Sequence, residues 1–243
     1  MWFFLLGLML FSFACAEAPA VMTERETADR LEQEFGIRIL IGDEVTEVPS
    51  DDFVVHPAGE YINILMEMLS LTETEQALKT LEETLSVYPE GFFRRYAKPL
   101  VFCLAGEITD PEWVPQSVTS GFCHEEEDCI YLFLDIRFMF PDLVHHEIWH
   151  SIEALARGAF PDWDDLNPEG FAYAHVLGDD TGFDPEWFCR DYSVMDDEED
   201  RATVYEAYFT ESPEWWEEHP HIRKKVDRIL RMLEEEFGFF TSP

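Results

Sequence analysis

The sequence predicts an α+β domain. Segments with helical spacing of apolar residues and short apolar runs of strand length occur together. They do not alternate with the regularity that a doubly wound parallel sheet requires. One helical segment also carries His146-Glu147-Ile148-Trp149-His150, and the other elements can be taken in order around it.

Residues 23–35 are charged and helical in pattern, and Gly36 ends them. Residues 37–41 read as a buried strand closed by Gly42. Residues 43–58, with Pro49 and Pro57, read as a loop. Helical spacing returns over residues 61–87, where Leu78, Leu81 and Leu85 repeat and a second helix begins near Thr72. Residues 100–104 form a second apolar run. Gly106, Pro111, Pro115 and Gly121 mark the next stretch as a loop, and residues 130–135 form a third strand. Pro141-Asp142 then starts a helix that Gly158 stops, with Val144, Ile148, Ile152 and Leu155 as its core stripe. Pro161, Pro168 and Gly170 follow, then an acidic loop through residue 197. Two helices, near 199–209 and 221–237, close the chain.

The first 16 residues carry no charged side chain and end in Ala14-Cys15-Ala16 before Glu17. This reads as a secretory signal peptide, leaving residues 17–243 as one domain with no transmembrane span. A second reading makes Cys15 the lipidated first residue of an envelope lipoprotein. Either way an extracellular or cell-envelope location is expected. At 47% hydrophobic and 15% aromatic residues, the chain can bury a substantial core. Its net charge of -36 repels nucleic acid and anionic lipid, so neither is expected as a partner. Nothing in the sequence sets the oligomeric state.

Export leaves Cys103, Cys123, Cys129 and Cys189 in an oxidising compartment. Cys123 and Cys129 flank the charged stretch 124–128 and are expected to pair as a disulfide, which leaves Cys103 for Cys189. A metal site at Cys123, His124 and Cys129, or four free thiols, are the alternatives.

Residues four apart on a helix stand on one face, so His146 and His150 can grip one ion. Glu147, one step round, can reach a water on that ion as a general base. A catalytic Zn²⁺ takes three protein ligands and keeps one position open. The extended pattern H-E-x-x-H-x-x-G-x-x-H fails, with Glu153 where Gly would stand and Ala156 where the third His would stand. A later carboxylate must complete the set, and residues 196–200 are five consecutive acids. Ala202, Tyr205 and Phe209 form a core stripe whose extension reaches Glu198. Glu199, Thr203 and Glu206 lie on the adjoining face. Periodicity alone leaves Glu198 and Glu199 both open.

At these residues the chain resembles the zinc-binding metallopeptidases of bacterial envelopes, and more distantly the catalytic domain of anthrax lethal factor. In that group a Tyr stands seven residues before a ligand Glu, which opens a helix reading roughly E-D-x-A-E. Tyr192 and Glu199 have that spacing, and residues 199–202 match the helix opening. Thr203 departs from the second Glu, which puts an outer-shell interaction in doubt. Segment 167–171 and the strand before the H-E-x-x-H helix are also similar. The resemblance spans residues 92–230 and favours Glu199 over Glu198.

The resemblance implies a zincin-like fold and a gluzincin-type peptidase. His146, His150 and Glu199 would hold Zn²⁺, Glu147 would be the general base, and Tyr192 would donate to the oxyanion. His145 and His175 would pack or cap. The strand 130–135 would offer an edge to an extended peptide or protein substrate. A catalytically silent surface binding protein that keeps fold and zinc is the rival reading, and an esterase or amidase is a third.

Overall fold

A computed structural model describes residues 22–48, 54–58, 73–109, 120–175 and 182–238. The expected leader, the possible anchor at Cys15, and residues 61–72 of the expected helical stretch lie outside these.

Helix α1 (Glu24–Phe35) starts on a reciprocal cap in which Glu26 N–H donates to Thr23 Oγ1 and Thr23 N–H donates to Glu26. Gly36 ends it in the left-handed region at φ 74°, which a residue without Cβ adopts cheaply. Strand β1 (Arg38–Leu40) follows. Residues 43–58, expected as loop, contain a 3₁₀ turn (Gly42–Glu47) and strand β2 (Val54–His56). Helix α2 (Glu73–Leu85) buries Leu78, Leu81 and Leu85 as their spacing predicts.

Strands β3 (Leu100–Ala105) and β6 (Ile130–Asp135) form the centre of a four-stranded sheet ordered β1-β3-β6-β5. β1, β3 and β6 run parallel, and β5 (Gly121–Glu125) pairs antiparallel with β6. Every residue of β3 is buried, because both faces of the sheet are covered; this is why its sequence is an unbroken apolar run. Strand β4 (Glu107–Thr109) pairs antiparallel with β2 in a small second sheet.

Two expectations fail here. The stretch before residue 125 was expected as loop and charged turn, yet it forms β5. Strand β6 is not an edge either, because β5 covers it, and among the described strands β5 takes the edge position. The physical reason is that every residue of β5 is only half-buried, so it lacks the apolar run that marks β3 and β6.

The register also overturns the expected disulfides. Cys123 lies opposite Leu132, so it shares that residue's face and packs against the main core. Cys129 stands three residues from Leu132, an odd offset, and packs on the other face with Val101 and Phe133. Cys103 and Cys189 likewise pack on opposite faces. All four are free thiols, and burial raises those of Cys103, Cys123 and Cys189.

Helix α3 (Pro141–Leu155) has Pro141 at its first position and buries Val144, Ile148 and Ile152 at 0% exposure. Helix α4 (Asp197–Thr210) is capped by Asp196, whose Oδ1 accepts from the Glu199 N–H at 2.8 Å. The acids 197–200 fill its first turn, where the helix dipole favours negative charge. The short helix α5 (Pro213–Glu218) leads into α6 (Pro220–Phe237), which buries Ile222, Val226, Ile229 and Leu233. No helix among the described residues is long and apolar enough to cross a membrane.

Candidate metal centre

Helices α3 and α4 bring His146, His150 and Glu199 together, each offering a ligand atom within 4.8 Å of the others. His146 Nε2 lies 3.0 Å from Glu199 Oε2 and 3.2 Å from His150 Nε2. His150 Nε2 lies 3.7 Å from the same carboxylate oxygen. Burial works to raise the Glu199 carboxyl, but the two imidazoles outweigh it and hold the group well below the usual carboxylate range. Glu198 is exposed at the next position, so the helix turns Glu199 and not Glu198 toward the histidines.

Glu147 is buried beside them, and burial raises its carboxyl against the pull of His146 and His150. Among the described residues its Oε2 is buried without a hydrogen-bond donor, and Glu199 Oε2 has no well-aligned donor although both imidazole nitrogens stand near it. Orphaned acceptors of this kind are costly unless something satisfies them. Two imidazoles, one carboxylate and a second carboxylate one step away fit a Zn²⁺ carrying a water, which would supply partners to both.

The Tyr192 hydroxyl donates to Glu199 Oε1 at 3.1 Å, and burial raises its phenol further out of reach of deprotonation. Tyr192 sits on a 3₁₀ turn (Asp191–Val194) anchored by Ser193, whose Oγ lies 2.7 Å from Thr203 Oγ1. Thr203, the departure from the expected Glu, thus ties the tyrosine turn to α4. A carboxylate stands one turn later at Glu206, whose Oε2 lies 3.5 Å from His146 Nδ1. Glu206 also pairs with Arg190.

The other histidines divide. His145 is buried, its Nδ1 lies 2.8 Å from the Tyr88 hydroxyl, and its ring stacks on Phe209 with ring centres 4.1 Å apart. Burial pushes its pKa down to about 3, so it is a neutral packing residue as expected. His175 is exposed; its backbone N–H donates to the Met195 carbonyl at 2.9 Å. Segment 167–171, singled out by resemblance, contributes through Asn167, which donates to Tyr173 and through it reaches Asp200.

A cleft of about 280 Å³ opens at His146, lined also by Gly121, Leu143, Glu147, Arg190, Tyr192 and Glu206. Gly121, Arg190 and Glu206 were not picked out as site residues from the sequence. Glu206 carried a signal, since it shares a helix face with Glu199. Gly121 and Arg190 carried none, because their roles depend on chain crossings far apart in sequence.

No protein family model matches the chain, and no curated protein matches it. Among solved structures, a "putative zinc-binding metallo-peptidase" from Bacteroides caccae is similar in fold, with a TM-score of 0.53 over 90% of this chain and 88% of that one. At 16% sequence identity the likeness supports a metallopeptidase-like, zincin-like α+β fold and nothing finer. The gluzincin class and the kinship with anthrax lethal factor rest on the sequence resemblance alone.

Proposed function

We propose that the chain is a zinc-dependent peptidase that hydrolyses peptide bonds with Glu147 as general base. The observation that carries this reading is the convergence of His146, His150 and Glu199 beside a buried Glu147. Bound there, Zn²⁺ would lower the pKa of a water and polarise a scissile carbonyl.

The chain's own residues would do the rest. Glu147 takes the proton from the attacking water and delivers it to the leaving amine. Tyr192 keeps its proton and donates to the developing oxyanion, leaving Glu199 for the purpose. Glu206 steadies the His146 ring from its far side. An extended peptide would add to β5, the strand at the sheet edge, rather than to β6. On the strength of residues 1–16 we place the enzyme outside the cytoplasm, with peptide or protein substrates.

The test is zinc analysis of the purified protein together with cleavage of a broad peptide library. Glu147→Gln is expected to keep zinc and lose at least about 10²-fold in turnover, the usual scale for a positioned base. Parent-like turnover in that variant would overturn the mechanism. A zinc-loaded parent that cuts no peptide would favour a catalytically silent binding protein, and one that cuts only esters or small amides would favour the third reading.

A further inference from the structure

We propose that Arg190 builds a carboxylate-binding subsite in the cleft, which makes the enzyme favour peptides with an acidic side chain or a free C-terminal carboxylate beside the scissile bond. This rests on the peptidase reading and names its substrate class.

Arg190 is the cleft's one permanently charged cation among the described lining residues, and it stands with His146, Glu147 and Tyr192. Its side chain is 41% exposed, whereas its partner Glu206 is only 10% exposed. Glu206 engages Nη2, which leaves further donors of a half-exposed guanidinium that has five for a ligand in the cleft. That fork matches a carboxylate in two parallel hydrogen bonds, which a lysine could not reproduce.

The arginine is also held in place. Its backbone N–H donates to Ser193 Oγ at 3.2 Å, and its carbonyl accepts from the Ser193 N–H at 3.1 Å. Ser193 is in turn fixed to α4 through Thr203. The guanidinium therefore springs from a backbone fixed to the turn that carries Tyr192, and its contact with Glu206 restrains its outer end. The net charge of -36 does not oppose this at close range, because exposed charges beyond about 8 Å are largely screened in physiological salt. Within the cleft, Arg190 offsets Glu206, and its guanidinium retains donors for an incoming carboxylate.

The experiment compares matched peptides differing only as Glu against Gln, or as free acid against C-terminal amide, for the parent, Arg190→Gln and Arg190→Lys. The parent is expected to prefer at least one acidic form by about tenfold or more in kcat/KM, a scale that a single well-placed polar contact supports. The Glu/Gln pair reads a side-chain carboxylate and the acid/amide pair reads a chain end. Arg190→Gln is expected to keep its zinc and lose the preference, with Arg190→Lys in between. The same peptides are titrated calorimetrically into zinc-loaded Glu147→Gln with and without Arg190→Gln, which reads recognition where no bond is cut. Absence of hydrolysis with an Arg190-dependent acid preference in binding sinks the peptidase reading and keeps the subsite. Equal loss on acidic and neutral peptides in Arg190→Gln, or no preference in the parent by either readout, overturns the subsite.

Discussion

The Lys225 ammonium lies 2.7 Å from the Asp200 carboxylate, and both side chains are 0% exposed. Lys225 comes from α6, while Asp200 is the residue after Glu199, the proposed third ligand. The same Asp200 Oδ2 accepts from Trp163 Nε1 and from the Tyr173 hydroxyl, each at 3.0 Å. One carboxylate thus ties three separate segments to the first turn of α4, the turn that delivers Glu199. Burial alone would raise Asp200 and lower Lys225, so each charge is expensive without the other.

Removing one member should therefore cost far more than removing both. Lys225→Met is expected to destabilise the fold by about 3–5 kcal/mol, the scale for stranding a buried charge. Asp200→Leu with Lys225→Met should recover a large part of that loss. Urea unfolding of the parent, the single and the double variant gives the comparison. A single variant within about 1 kcal/mol of the parent, well inside the ordinary range for point mutations, would show that the pair does not hold the site together.

The assignment of the third ligand has an equally direct check. Glu199→Ala removes a group that both histidines face, and the protein is expected to lose its zinc on dialysis. Glu198→Ala alters an exposed side chain and should leave the metal in place. Chelation of the parent should lower its melting temperature, since the ion binds only the folded arrangement, while chelator should barely move Glu199→Ala. Zinc retained through dialysis by Glu199→Ala would refute the assignment.

These residues also show what the sequence discloses and what it hides. His146, Glu147 and His150 are legible because one helix fixes their spacing, and the core stripe of α3 follows from the same period. The buried run of β3 is legible for a similar local reason. Glu199 against Glu198 was not, because adjacent helical positions differ by a rotation that only the packing of α4 on α3 decides. The disulfide expectation failed because six residues of separation say nothing about which face of the sheet each thiol occupies. Once β5 and β6 pair, alternation sends Cys123 and Cys129 apart. Gly121 was hidden most completely, since it reads as loop punctuation until the strand is folded against the active-site helix.

Gly121 gives the last prediction. It opens β5 and pairs with Leu134, and a Cβ placed on it would stand 2.7 Å from Glu147 Oε1 and 3.0 Å from that side chain's Cδ and Cγ. Its φ is not positive, so alanine meets no backbone strain there. The nearest obstacle is the end of a flexible side chain rather than a backbone atom, so the fold can absorb a methyl group by moving Glu147. That displacement falls on the proposed general base. Gly121→Ala is therefore expected to leave the zinc content unchanged and the melting temperature nearly so, while lowering kcat/KM by about 10²-fold, the cost of a misplacement near 1 Å. Loss of zinc in this variant would mean that Gly121 serves the ligands and not the base. Parent-like turnover would mean that the close approach of strand and carboxylate has no part in catalysis.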